Sequence, residues 1–144
     1  MIINFTQHTA TDDQRAAGVV DLPAALRAHV TEWLTLLSLP TAAEITDRAA
    51  ALADLACRLQ DPEDRAEEGV DLGSSAVALH AMISGAPRLM APLEAALRDH
   101  GLIPVYAFSA RESIEEVLPE GTVRKSAVFR HQGFVAPDGA RPDA

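Results

Sequence analysis

The sequence predicts a single three-layer α/β domain with a mostly parallel sheet and a C-terminal antiparallel hairpin. Three observations carry this reading. Leu79–Ile83 and Ile103–Phe108 are short apolar runs joined by a stretch of helical spacing, the pattern of a β-α-β unit. Ile2–Thr6 is a third apolar run, starting almost at the first residue. After Ser113 the pattern changes to two-residue alternation on both sides of Pro119-Glu120-Gly121, a turn in which proline fixes φ and glycine takes the left-handed position.

At 144 residues the chain has the length of one domain. With 48% hydrophobic but only 4% aromatic residues, its core must be built from Ala, Leu, Val and Ile. The expected domain spans residues 1–136, with an acidic loop at about 61–73 and a flexible tail at 137–144. No internal repeat is visible.

Taken in order, Ile2–Thr6 ends in Gln7-His8-Thr9, and Thr11-Asp12-Asp13-Gln14 has the form of a capping box opening a short helical turn that Gly18 would stop. Val19–Leu22 is either a short strand or an extended lead-in to Pro23. From Pro23, Leu26, Val30, Trp33, Leu34 and Leu37 form one helical stripe, ended by Pro40. Thr41-Ala42-Ala43-Glu44 is a second capping box, and Ile45, Ala49, Leu52, Ala56 and Leu59 continue one face for four turns. Residues 61–71 then carry six acidic groups, a proline and a glycine with no apolar period, which reads as a solvated loop. Residues 73–78 fit either a helical turn or the start of the next strand. Beyond Leu79–Ile83, Ser84-Gly85-Ala86-Pro87 turns into a helix whose first position suits Pro87. Leu89, Met90, Leu93 and Leu97 line its apolar face, and Gly101 stops it. Ile103–Phe108 is expected to end in a polar turn, Ser109–Ser113. The arms of the hairpin then pair Glu115 and Glu116 with Arg124 and Lys125. A helix capped by Ser109 is the competing reading of 110–118, and the hairpin is preferred.

Charge and composition narrow the function. A formal charge of −9 disfavours a general grip on duplex nucleic acid. Thirteen acidic and five basic side chains fall in residues 1–72, whereas Arg111, Arg124, Lys125 and Arg130 balance Glu112, Glu115, Glu116 and Glu120 further on. No basic segment precedes an apolar one at the start, and no apolar run approaches about 18 residues, so neither a signal peptide nor a membrane span is expected and the cytoplasm is the expected compartment. Cys57 is the only cysteine and sits in an Ala/Leu-rich helical pattern, where it reads as a small buried hydrophobe. His29, His80 and His100 have no His or Cys partner at metal spacing, and the acidic segment lacks a calcium-loop pattern, so no metal and no cofactor is expected.

Three parallel strands would bring their following turns to one carboxyl edge, where open α/β sheets bind ligands. His8, with Gln7 beside it, follows the first strand and can act as a general base or phosphate ligand. Ser84, Gly85 and Ala86 offer backbone N–H groups at a helix start. Ser109, Arg111 and Ser113 follow the third strand, and a guanidinium there can hold phosphate bidentately. Arg130 and His131 form a second basic pair, which either closes over the ligand or packs against the acidic hairpin arm. The expected ligand is a small anion, with His8 and Arg111 as the catalytic candidates. Neither a Gly-x-Gly-x-x-Gly fingerprint nor a Gly-Lys-Ser phosphate loop is present.

The opening Ile3-Asn4-Phe5-Thr6-Gln7-His8 with Thr11-Asp12-Asp13-Gln14, followed by a strand, Gly85-Ala86-Pro87, a helix and a strand, resembles the small Rossmann-like CRISPR-associated (CARF-like) proteins. The resemblance implies a homodimer that binds a cyclic oligoadenylate across its two-fold axis. It also implies cleavage as a metal-independent ring nuclease, in which a ribose 2′-hydroxyl is positioned for in-line attack. Residue by residue it carries over to His8, Gly85 and Arg111. The acidic insert and the C-terminal hairpin with Phe129-Arg130-His131 depart from it. Two further classes stay open: a non-catalytic nucleotide sponge, and an acidic protein-interaction factor of a mobile element or defence system.

Overall fold

β1 (Ile2–Phe5) is buried at all four positions, as a strand covered on both faces must be. It lies inside the sheet, with β2 (Val19–Val20) parallel on one side and β3 (His80–Ile83) parallel on the other. β4 (Ile103–Val117) pairs parallel with β3, and β5 (Val123–Val135) runs antiparallel to β4, giving the order β2-β1-β3-β4-β5. This mixed α/β architecture comes from a computed structural model that describes residues 1–72 and 80–141. Leu79 and the 73–78 segment lie outside the described residues.

The helices follow from local chemistry. α1 (Asp12–Ala16) starts with the reciprocal Thr11–Gln14 capping box. α2 (Ala24–Leu34) ends six residues before Pro40, and Leu37, expected on its apolar stripe, is 93% exposed. The early stop has a visible cause. Arg48 donates to the carbonyls of Glu32, Trp33 and Thr35 at 2.7, 3.0 and 2.7 Å while pairing with Glu44 at 3.0 Å. A cation on the last carbonyls suits the negative end of the helix. α3 (Ala42–Arg58) is capped by Thr41, whose side chain accepts from the Glu44 N–H, and it buries Ile45, Ala49, Leu52 and Ala56 as its period required.

The acidic segment is not a loop throughout. Pro62–Glu67 forms α4, with Asp61 accepting from the Glu63 N–H at 2.8 Å, Pro62 in the first turn, and Glu63 and Asp64 at the positive end. Capping, rather than an apolar face, makes this turn helical. α5 (Pro87–Asp99) buries Leu89, Met90, Leu93 and Leu97, and Gly101 follows it at φ +76°.

Strand alternation divides the core in two. Ile3, Phe5, Ala81 and Ile83 share a cluster with Val30 of α2, Leu52 of α3 and Leu93 of α5. Ile2, Val19, Met82, Val105 and Phe134 form a second, smaller cluster with Ala10.

β4 does not end at Phe108. The expected turn at Ser109–Ser113 is strand, and the β4–β5 ribbon continues past the parallel sheet to Val117 and Val123 with Glu115 opposite Lys125 and Glu116 opposite Arg124. Hairpin pairing replaces the alternative helix at 110–118. A register irregularity falls between Phe108 and Ser109, where the ribbon leaves the body. None of residues 106–133 is buried. The chain after β5 begins with a turn: Ala136 is buried, and its N–H donates to the Ala140 carbonyl at 2.9 Å. Among the described residues, no helix is long and apolar enough to cross a membrane.

Candidate functional site

Two polar side chains are buried at the end of β1: Asn4, 3% exposed, and Thr6, 7% exposed. Burying an amide requires partners for both its ends. Asn4 Nδ2 donates to the His8 carbonyl at 2.8 Å and to Asp21 Oδ1 at 2.7 Å. Its Oδ1 accepts from the Thr6 N–H at 3.0 Å and the Thr6 hydroxyl at 2.7 Å. Asp21 Oδ1 also accepts from the Ala10 N–H at 2.9 Å, and Arg15 lies 3.7 Å from its other oxygen. The network folds the 6–10 turn over and fastens it beside the end of β2. His8 is held at the rim of that turn.

A cavity of about 290 Å³ lies against this turn. Thr6, His8 and Thr9 line it from β1 and its turn, and Met82, Ile83 and Ser84 from the end of β3. Tyr106, Ala107 and Ser109 close it from β4, with Thr11 and Gln14 at the start of α1. It sits between β1 and β3, where the chain, having built β2 on one side of β1, crosses to build β3 and β4 on the other. Such a reversal leaves a crevice at the carboxyl ends of the strands.

Of the residues nominated from sequence, the fold brings His8, Ser84 and Ser109 together. The others lie elsewhere. Gln7 donates to the Thr35 hydroxyl at 3.3 Å. Ala86 caps α5, and a side chain on Gly85 would meet Met90 at 3.2 Å and Leu34 at 3.5 Å, so this turn packs against the core. Arg111 and Ser113 stand on the ribbon, opposite Phe129 and Ala127, because the strand continues where a turn was expected. Arg130 pairs with Glu112 at 3.0 Å. His131 is opposite Ser109, its ring tilted at 56° against that of Phe134 with centroids 4.7 Å apart, and both ring nitrogens are buried without a hydrogen-bond partner among the described residues.

Sequence reasoning missed Asn4, Thr6, Asp21 and Tyr106. A polar Asn4 inside an otherwise apolar buried strand was the available signal. Among the described residues, the lining is hydroxyl-rich, includes neither Lys nor Arg, and has His8 as its one imidazole. The Tyr106 hydroxyl donates to Glu94 at 2.5 Å. Burial, then the hydrogen bond and the negative charge of Glu94, push the phenol pKa well above its usual value. It therefore stays protonated and engaged at neutral pH. Among the described residues, no group of three or more His, Cys, Asp or Glu side chains could hold a metal ion.

The sheet order and the cavity define a mixed α/β protein with an open pocket at the reversal point. The chain belongs to the Uncharacterized protein MJ1673 family, whose family model matches residues 1–135 and so takes in all five strands, including the ribbon. Among curated proteins and among solved structures, no match to the chain is found.

Proposed function

We propose that the chain is a Rossmann-like, CARF-like cytoplasmic protein that binds an anionic nucleotide in the carboxyl-edge pocket. The ligand is a cyclic oligoadenylate, which the protein cleaves as a metal-independent ring nuclease. The observation that supports this reading is the convergence of His8, Ser84 and Ser109, from three separate strands, on one cavity at the reversal point of the sheet. Hydroxyls and one imidazole suit a ribose and its phosphate better than they suit an apolar ligand. The volume of about 290 Å³ is at the lower end of ligand pockets, roughly 300–1,000 Å³. One nucleotide unit fits, and the rest of a cyclic ligand would lie outside, over a second copy of the chain.

The chemistry then asks little of the protein. A 2′-hydroxyl held in line attacks the adjacent phosphorus, its oxygen–phosphorus bond forms as the bond to the 5′-oxygen breaks, and a 2′,3′-cyclic phosphate results. His8 takes the 2′-hydroxyl proton, and water protonates the leaving oxygen. Positioning supplies most of the acceleration, with His8 adding a factor of about 10²–10⁴.

Calorimetry with cyclic and linear oligoadenylates and mononucleotides tests the reading, with binding expected at micromolar concentrations. His8→Ala should bind cyclic oligoadenylate within a few-fold of the parent and lose turnover about 100-fold or more; unchanged turnover rejects the role of His8. Arg111, outside the pocket, can reach only the protruding part of the ligand, and Arg111→Ala should weaken binding about ten- to 150-fold. Failure of every nucleotide to bind would leave the acidic protein-interaction reading in its place.

A further inference from the structure

Directly opposed residues of an antiparallel pair share a face. Arg111 with Phe129, Ser113 with Ala127, Glu115 with Lys125 and Val117 with Val123 therefore form one face of the ribbon. On it Val117, Phe129 and Val123 are 73%, 72% and 53% exposed. From Phe108 to Val117 the arm extends roughly 30 Å at the usual rise per residue. A two-stranded ribbon with both faces bare is marginally stable at best, and its unpaired edges invite another chain.

The exposed area says how much is missing. The chain exposes 8641 Å², whereas a folded monomer of 15.3 kDa exposes roughly 7,100 Å² by size scaling, so the excess is roughly 1,500 Å². A standard interface takes about 800 Å² from each partner. The surplus is that of the whole chain, and the arm, with Val117, Phe129 and Val123 exposed, contributes to it.

Charge selects the occupant. The chain carries −9, yet residues 109–131 hold four basic and four acidic side chains. Two copies meeting through their acidic bodies would repel, and a neutral arm offers no surplus charge to a phosphate backbone. Two arms can meet without penalty. Their pattern is also self-complementary: Arg111 and Glu115 flank Ser113 on β4, and Phe129 and Lys125 flank Ala127 on β5. A two-fold axis through the small Ser113 and Ala127 sets Arg111 of each copy over Glu115 of the other. It also lays each Phe129 along the Lys125 stem, an arrangement aromatic and cationic side chains favour.

We propose that the arm is a dimerisation surface, and that the arm of a second copy of this chain packs on it face to face and antiparallel across that axis. The arm faces pair whether or not the pocket takes a nucleotide.

Light scattering should give twice 15.3 kDa at about 10–100 μM; the single-chain mass across that range would overturn the proposal. Phe129→Asp and Val117→Asp, at exposed sites that leave circular dichroism unchanged, should each raise the dimer dissociation constant about 100-fold. Phe108→Asp, on the opposite face, should leave the mass as it is. In a Cys57→Ser background, Ala127→Cys should be joined between chains by a short bifunctional thiol reagent, since two stacked ribbon faces lie about 10 Å apart. A dimer that survives Phe129→Asp, dissociates with Phe108→Asp, or gives no Ala127→Cys cross-link is not the one proposed.

Discussion

The Tyr106 hydroxyl donates to Glu94 at 2.5 Å, tying β4 to α5 beside the pocket. Tyr106 is the only tyrosine in the chain, so its ionisation can be followed by phenolate absorbance alone. Its pKa is raised in the folded protein by burial first and by Glu94 second. The unfolded chain then releases this proton near pH 10 while the folded chain keeps it. The stabilisation is therefore complete below about pH 10 and fades as the pH rises beyond it. Thermal melts at stepped alkaline pH should show the parent losing more stability than Tyr106→Phe. A phenolate signal appearing near pH 10 in protein that is still folded would refute this.

Asn4 holds the turn that carries His8, and all its partners are short-range or reach to Asp21. Asn4→Ala should cost about 3 kcal/mol, since it leaves the buried Thr6 N–H unsatisfied and takes a donor from the His8 carbonyl and one of two donors from Asp21 Oδ1. Asp21→Asn, which keeps an oxygen for Asn4 and for the Ala10 N–H, should cost about 1 kcal/mol. Urea titration of both variants measures the difference. Equal losses would show that the carboxylate charge, and not the hydrogen-bond geometry, fastens the turn.

Arg65 is a buried cation, 7% exposed, donating to the Leu59 and Gln60 carbonyls at 3.0 and 3.1 Å. It finishes α3 from within α4. Arg65→Ala should destabilise by about 2 kcal/mol, and Arg65→Lys should recover only part of that, because both bonds leave Nη1 at the end of the guanidinium, beyond the reach of the shorter lysine side chain. Denaturation midpoints decide; a full rescue by lysine would reduce the role to charge.

These relationships mark where sequence reading worked. Leu52 and Ala56 of α3 sit where their period put them, because a long amphipathic helix repeats one signal many times. Glu115 and Lys125 meet because a turn sets the register of its own arms. Ser109–Ser113 misled, since polar residues on a ribbon exposed on both faces look like a turn. α4 was hidden by its lack of an apolar face, although Asp61-Pro62 was a legible start. At the pocket, His8, Ser84 and Ser109 were readable as residues that follow or extend strands. The Asn4–Asp21 bond was not, because no local pattern encodes a contact across seventeen residues.

His131 has two buried ring nitrogens with no partner for either among the described residues, directly across from Ser109 of the pocket. An unpaired buried polar atom costs free energy that an apolar ring of similar shape would not. His131→Phe keeps the tilted ring contact with Phe134 and removes the unpaired nitrogens, so it should stabilise the protein by about 1 kcal/mol. If a ligand in the pocket recruits this imidazole, the same variant should bind it about tenfold more weakly. Gain of stability with loss of affinity is the expected signature of a side chain held in readiness for a ligand. Urea titration and calorimetry on the one variant read both. A destabilised His131→Phe would mean that the imidazole already has a partner in solution, and a stabilised variant with unchanged affinity would take His131 out of the binding site.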